Sequence, residues 1–317
     1  MRDNRVPEDR EPEQDDDAAH RLPHSLSGLT AGLESLVSLG AEFAQQNPSQ
    51  AQSGVWWWGD SAAQLQQLQT EGVQRREASV LALFWPGENG PQVLLTERSP
   101  ALAKHPGQIS FPGGGAEEYD ADPAATALRE AQEETGLDPT LTTVLGTLPP
   151  APIPISGFNV TPVVAVAEDP GGLVPQTGEV SRVLKLPVAA LAKPEHRYTA
   201  VVAHRGPRLP SPAFLRTPAA AERPGRSPQG TGLAGELMRG SPSSAVRLGR
   251  SQRRFAPEAD LHGISSDHAQ PPRPPQADDA FFIWGFTGTL LDRMLERMGW
   301  AGAWDRSREL DPREFRR

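Results

Sequence analysis

The sequence predicts an α/β sandwich: a mixed sheet held between helices. Three observations carry this. Short apolar runs of strand length recur along the chain. They flank one two-faced helix, Pro123–Thr135, entered from a glycine-rich turn. A second helical stripe, Leu290, Leu291, Met294, Leu295 and Met298, comes near the end and reads as core.

Taken in order, residues 1–24 are acidic and proline-bearing, with Asp15, Asp16 and Asp17 in a row, and are expected to form a disordered tail. Residues 25–70 form a helical extension. Leu26, Leu29, Leu33, Leu36, Val37 and Phe43 mark an amphipathic helix over about 25–46, stopped before Pro48. Trp56, Trp57 and Trp58 then stand together. Their simplest use is to cover an apolar surface of the domain; a partner or homodimer contact is the alternative.

The main domain is expected over 71–215, completed by 279–304. Ser79–Trp85 and Pro91–Thr96 read as two strands joined at Pro86–Gly90. Further strands are expected at Thr142–Leu148, Asn159–Ala167, Glu179–Leu186, Tyr198–His204 and near Pro212–Phe214, with a short helix near 187–192 and a stiff loop at Pro149–Gly157. From 216 to 278 the pattern is lost in a Pro-, Ser-, Gly- and Arg-rich stretch, which is expected to be a disordered insertion outside the core. A strand returns at Phe281–Gly285, followed by the second helix, and 305–317 reads as a charged, loose tail.

Composition narrows the function classes. A formal net charge of −9 argues against general nucleic-acid binding. With no cysteine among 317 residues, disulfides, thiolate metal sites and cysteine nucleophiles are excluded. No apolar run approaches a membrane span, so a soluble cytoplasmic protein is the expectation.

The chemistry sits on the first helix. Asp122 suits its N-cap and Pro123 its first position; Gly136 suits its C-terminal end. Ala124, Ala127, Leu128, Ala131 and Thr135 make one small, mostly apolar face, and Glu130, Glu133 and Glu134 fall together on another. Three adjacent carboxylates repel, and a hard divalent cation with oxygen ligands would offset that.

The segment Arg129-Glu130-Ala131-Gln132-Glu133-Glu134-Thr135-Gly136-Leu137 resembles the second half of the Nudix box at every fixed position. The first half departs: the earlier box glutamate, counted back from Arg129, falls on Ala121, with Asp120 the nearest acid. Upstream, Leu94–Ser99 and Gly107–Gly114 look like the signature of coenzyme A pyrophosphatases, except that its arginine falls on Ala103, beside Lys104. Leu148-Pro149-Pro150, Ser156-Gly157-Phe158 and Trp284–Thr287 are similar to the bacterial branch.

The resemblance implies a Nudix α/β/α sandwich that hydrolyses the diphosphate of coenzyme A or acyl-coenzyme A. It implies Mg²⁺ or Mn²⁺ on Glu130, Glu133 and Glu134, with Arg129 orienting a ligand carboxylate. Glu133 or the loop acid Glu179 would be the general base. Arg98, Lys104, His105, Gly113 and Gly114 would meet the substrate, His105 either through phosphate or by fixing the loop. ADP-ribose or NADH as substrate, and a catalytically silent binding module, are the other readings.

Overall fold

The structure is a computed structural model that describes residues 22–67, 75–102, 105–154, 156–203, 208–217 and 280–315. The acidic stretch 1–21 and the insertion 218–279 lie outside the described residues, as do Ala103 and Lys104.

Ser25 opens α1 (Leu26–Gln46) by accepting the Gly28 N–H, and Leu29, Leu33 and Leu36 turn inward at helical spacing. Gly40 lies on the same buried line, because a Cβ there would stand 2.9 Å from the Pro149 ring. Three short helices follow: α2 (Pro48–Ser53), α3 (Val55–Trp58) and α4 (Ser61–Gln66). Trp56 and Trp57 are buried; the Trp57 indole donates to the Pro149 carbonyl at 2.7 Å, and Trp58 donates to Pro152 at 3.1 Å. Arg297 stacks 3.9 Å over the Trp56 ring. The tryptophans thus cover the domain itself, the simpler of the two uses the sequence allowed.

The sheet is built on β1 (Arg76–Gly87), which turns at Gly87–Gly90 into β2 (Gly90–Arg98). Two short strands, β3 (Ile109–Ser110) and β4 (Gly113–Gly115), lead to α5 (Pro123–Thr135). Next come β5 (Thr143–Thr147), β6 (Ala151–Ile153), β7 (Phe158–Val166), β8 (Val180–Pro187) and α6 (Val188–Ala192). The order is β3-β2-β1-β7-β5, with β4 also on β1, β6 on β7 and β8 on β2. β1 and β7 pair in parallel and the other pairs are antiparallel, so the sheet is mixed, as expected. β6 occupies part of the expected stiff loop.

Alternation along β1 sorts the core into two layers. Leu81 and Leu83 join Leu94, Val163 and Ala165 beneath Ala127 and Ala131 of α5. Ala82 and Phe84 face the other way, with Val93, Leu95, α1 and the last long helix.

That helix belongs to a second sheet the sequence did not reveal. It comprises β9 (Arg197–Ala203), β10 (Arg208–Arg216), β11 (Phe281–Ile283) and, after α7 (Gly285–Arg297), β12 (Glu309–Leu310), in the order β11-β10-β9-β12. Arg216 closes β10 rather than opening the insertion. Over 305–310 the segment expected to be loose is docked. β12 pairs in parallel with β9, and Arg308 donates to the Pro194 and Glu195 carbonyls and, at 2.6 Å, to the Tyr198 hydroxyl. Composition missed this because one guanidinium satisfies three oxygen acceptors at once. Leu22, assigned to the acidic tail, is likewise buried beside Gly90. Among the described residues, no helix is long and apolar enough to cross a membrane.

Candidate active site

The helix forms as its caps dictate. The Asp122 carboxylate accepts the Ala125 N–H at 2.8 Å, Pro123 fills the first position, and Gly136 ends the helix at φ 65°. Its inward line brings β4 close. Gly113 sits against β1, where a Cβ would meet the Ser79 carbonyl at 2.3 Å, and a Cβ on Gly114 would lie 2.5 Å from the Glu130 carboxyl carbon. The glycine pair therefore lets the carboxylates reach the sheet edge.

The three glutamates do not share one environment. Glu133 is exposed. Glu130 is half-buried and accepts from Arg129 at 2.9 Å. Glu134 is buried and receives only a long bond, 3.4 Å, from the Gly113 N–H. The split follows from the 100° step between residues 133 and 134: one turns to solvent and the other to the sheet. Burial, above all, raises the Glu134 carboxyl from 4.5 to about 7; Glu130 and Glu179 push the same way, against the Gly113 N–H and Arg98. Burial also raises Glu130, and the Arg129 hydrogen bond opposes it.

Arg129 is the centre of a second network. Its guanidinium grips Asp120 with two bonds of 3.0 and 2.9 Å, donates to the Gly115 carbonyl at 3.0 Å, and reaches Glu130 and Glu133. Asp120 also accepts from Thr126 and from the Glu117 N–H. Its carboxyl is held well below the usual range, chiefly by the Arg129 hydrogen bond, which raises Arg129 in turn. Asp120 is thus the anchor that fixes Arg129, while Ala121 carries no such group. The sequence showed an acid one residue out of place; only the folded loop shows that it reaches the arginine.

Glu179 arrives from a loop tied to the end of the helix. The Gln176 N–H bonds the Glu134 carbonyl at 2.9 Å, and the Ser99 N–H bonds the Glu179 carbonyl at 2.7 Å. Arg98, at the end of β2, is close enough to act on Glu134, and its buried Nε has no hydrogen-bond partner. His105 is exposed with φ 56°, on the loop whose Gly107 N–H returns to the Arg98 carbonyl. Lys104 lies outside the described residues. The structure thus brings Arg98, Gly113, Gly114, Arg129, Glu130, Glu134 and Glu179 to one end of the sheet, with Glu133 at the rim. Among the described residues, no three His, Asp or Glu side chains converge as a ready-made metal shell: Glu130 turns to Arg129 and Glu134 to Gly113.

Residues 75–204 match the family model described as NUDIX domain. That stretch is similar to a Nudix domain. Over 119 residues it is 44% identical to a protein of Klebsiella pneumoniae subsp. pneumoniae named uncharacterized Nudix hydrolase NudL, spanning 37% of this chain and 60% of that protein. A protein of the same name from Escherichia coli strain K12 is 41% identical over 125 residues, spanning 39% of this chain and 63% of its own. The chain therefore spans about three-fifths of the length of these curated relatives. The crystal structure of a Nudix hydrolase from M. smegmatis, RenU, is 29% identical, covering 38% of this chain and 74% of that one, with a TM-score of 0.32.

Proposed function

We propose that the Nudix domain is a divalent-metal-dependent diphosphatase that cleaves coenzyme A or its acyl derivatives to 3′,5′-ADP and 4′-phosphopantetheine. The observation that supports the hydrolytic half is the buried Glu134 carboxylate. It has one long N–H bond, two further carboxylates within electrostatic reach, and a glycine-lined strand beside it. A carboxylate buried so incompletely satisfied is costly unless a cation joins it. The donors are all carboxylate oxygens, which suits Mg²⁺ or Mn²⁺.

In this reading Glu130 and Glu134 hold the metal, Glu133 at the rim completes the set, and Arg129, fixed by Asp120, aims Glu130. The metal, when bound, supplies charge neutralisation at the diphosphate and a more acidic attacking water. Glu133 or Glu179 would serve as general base toward the attacking water. Arg98, within electrostatic reach of Glu134, would meet the substrate phosphates, and Gly113 and Gly114 would let backbone approach them. The choice of coenzyme A rests on the resemblance of Leu94–Ser99 and Gly107–Gly114 to that subfamily's signature.

A substrate panel tests the whole. With Mg²⁺ or Mn²⁺, kcat/KM is expected to be highest for coenzyme A, lower for dephospho-coenzyme A, and lowest for ADP-ribose and NADH. Replacing the true base by Gln, at Glu133 or Glu179, lowers kcat by about 10²–10⁴-fold. A clear preference for ADP-ribose or NADH would reject the coenzyme A assignment. Near-normal rates for Gln at each of Glu130, Glu133, Glu134 and Glu179 would reject the site.

A further inference from the structure

On the side of the sheet away from α5, a cavity of about 660 Å³ opens between α3, α4, β9, β10, α7 and the segment after α7. That volume is typical of small-molecule sites. Five aromatic side chains contribute to its walls: Trp57, Trp58, Trp284, Phe286 and Trp304. No wall comes from α5 or β4, so a ligand held there would be independent of the hydrolytic site.

The charges lining this apolar cavity are unevenly satisfied. Its one carboxylate, Glu309, is held by Arg208 at 2.6 Å. Arg293 is engaged, donating to Glu296 at 2.9 Å and to the Trp57 carbonyl at 3.3 Å. Arg306 differs. Half-exposed, it has two carboxylate neighbours, Asp292 and Glu296, both 4.0 Å away, beyond hydrogen-bond length; each bonds another arginine through its other oxygen, and the Asp292 Oδ2 that faces Arg306 has no hydrogen-bond partner of its own. Arg306 lies 5.0 Å from the Trp304 ring centroid, and the Trp304 Nε1, itself buried, has no acceptor. Indole N–H groups usually find an acceptor when buried. An apolar cavity thus carries on its wall a guanidinium with no direct hydrogen bond to a carboxylate, which suits an anion.

We propose that this cavity binds an apolar monocarboxylate, its hydrocarbon or ring between the tryptophans and its carboxylate on Arg306. The guanidinium matches a carboxylate with two parallel N–H bonds, and the aromatic walls supply the area that makes an apolar tail worth burying.

The test is calorimetric titration of the full chain with octanoate and with octan-1-ol, which share a tail and differ in charge. Octanoate is expected to bind one-to-one and at least about tenfold more tightly than octanol. Arg306→Gln, with an unchanged melting temperature, should bring octanoate down to the octanol level, while Arg306→Lys keeps part of the preference. The proposal is overturned by no octanoate binding at about 1 mM, by equal affinity for the two ligands, or by an unaltered preference in Arg306→Gln.

Discussion

The two helices that flank the sheet each bury a carboxylate, and they treat it in opposite ways. On α7, Asp292 is wholly buried but meets Arg197, which is nearly as buried and lies against Phe214 and Trp304. On α5, Glu134 is buried with one long N–H bond and two acidic neighbours. On α7 an arginine hydrogen-bonds the buried carboxylate directly; on α5 the nearest arginine, Arg98, acts on Glu134 only through its charge. The contrast separates a carboxylate paired inside the fold from one the fold leaves without a direct cationic partner.

The largest effect should come from breaking the side where the charges are paired, although the Arg197 Nε and Asp292 Oδ2 each stay without a hydrogen-bond partner. Asp292→Ala strands Arg197 in the core and should cost about 3–5 kcal/mol, read as a drop in unfolding free energy by denaturant titration. If the loss is under about 1 kcal/mol, the pair is not what holds α7 to β9.

The same kind of change on α5 should have the opposite sign. The Glu134 carboxyl is pushed up to about 7 from 4.5, so between those values the folded protein binds more protons than the unfolded chain. Stability of the metal-free protein should therefore fall as pH rises from about 4.5 to about 7, and stay lower above that. Glu134→Gln should remove that slope and stabilise the metal-free protein at pH 8 by at most about 3 kcal/mol, while abolishing its stabilisation by Mn²⁺. Melting curves across pH, with and without metal, check both. A destabilised Gln variant with an unchanged pH slope would mean that Glu134 is structural after all.

The smallest effect tests the outer layer. Asp120→Asn frees Arg129 from its anchor and should weaken metal activation about tenfold without changing the fold, measured as the Mn²⁺ concentration for half-maximal hydrolysis. An unchanged midpoint would show that Arg129 needs no anchor to aim Glu130.

The helix at the heart of the site was legible because its signals are local. Asp122, Pro123, the i, i+3, i+4 apolar line and Gly136 all lie within one short stretch, and all act as read. What stayed hidden depends on distance. Sequence spacing put Glu130, Glu133 and Glu134 on one face, but which of them is buried is decided by β4, where Gly113 donates to Glu134 across 21 residues. Arg98 and Glu179 were named one by one, and their meeting is set by the pairing of β2 with β8. The second sheet escaped for a different reason. Strands were expected at Tyr198–His204, near Pro212–Phe214 and at Phe281–Gly285, but their pairing into a sheet of their own leaves no local pattern, and β12 is two residues long, too short to leave one. The Arg197–Asp292 pair, 95 residues apart, leaves no periodic trace at all.

That separation has a consequence in time. Residues 98–179, which supply the carboxylate site, leave the ribosome before Arg197 does. Arg197 then waits for a partner 95 residues downstream, roughly 5–20 s at ordinary rates of synthesis. During that interval a cation destined for the core has no counter-charge, and β9 has neither β11 nor β12 in its sheet. The nascent chain thus emerges as a carboxylate-bearing front half and an unfinished back half, completed only when α7 brings Asp292 and, later still, β12 reaches β9.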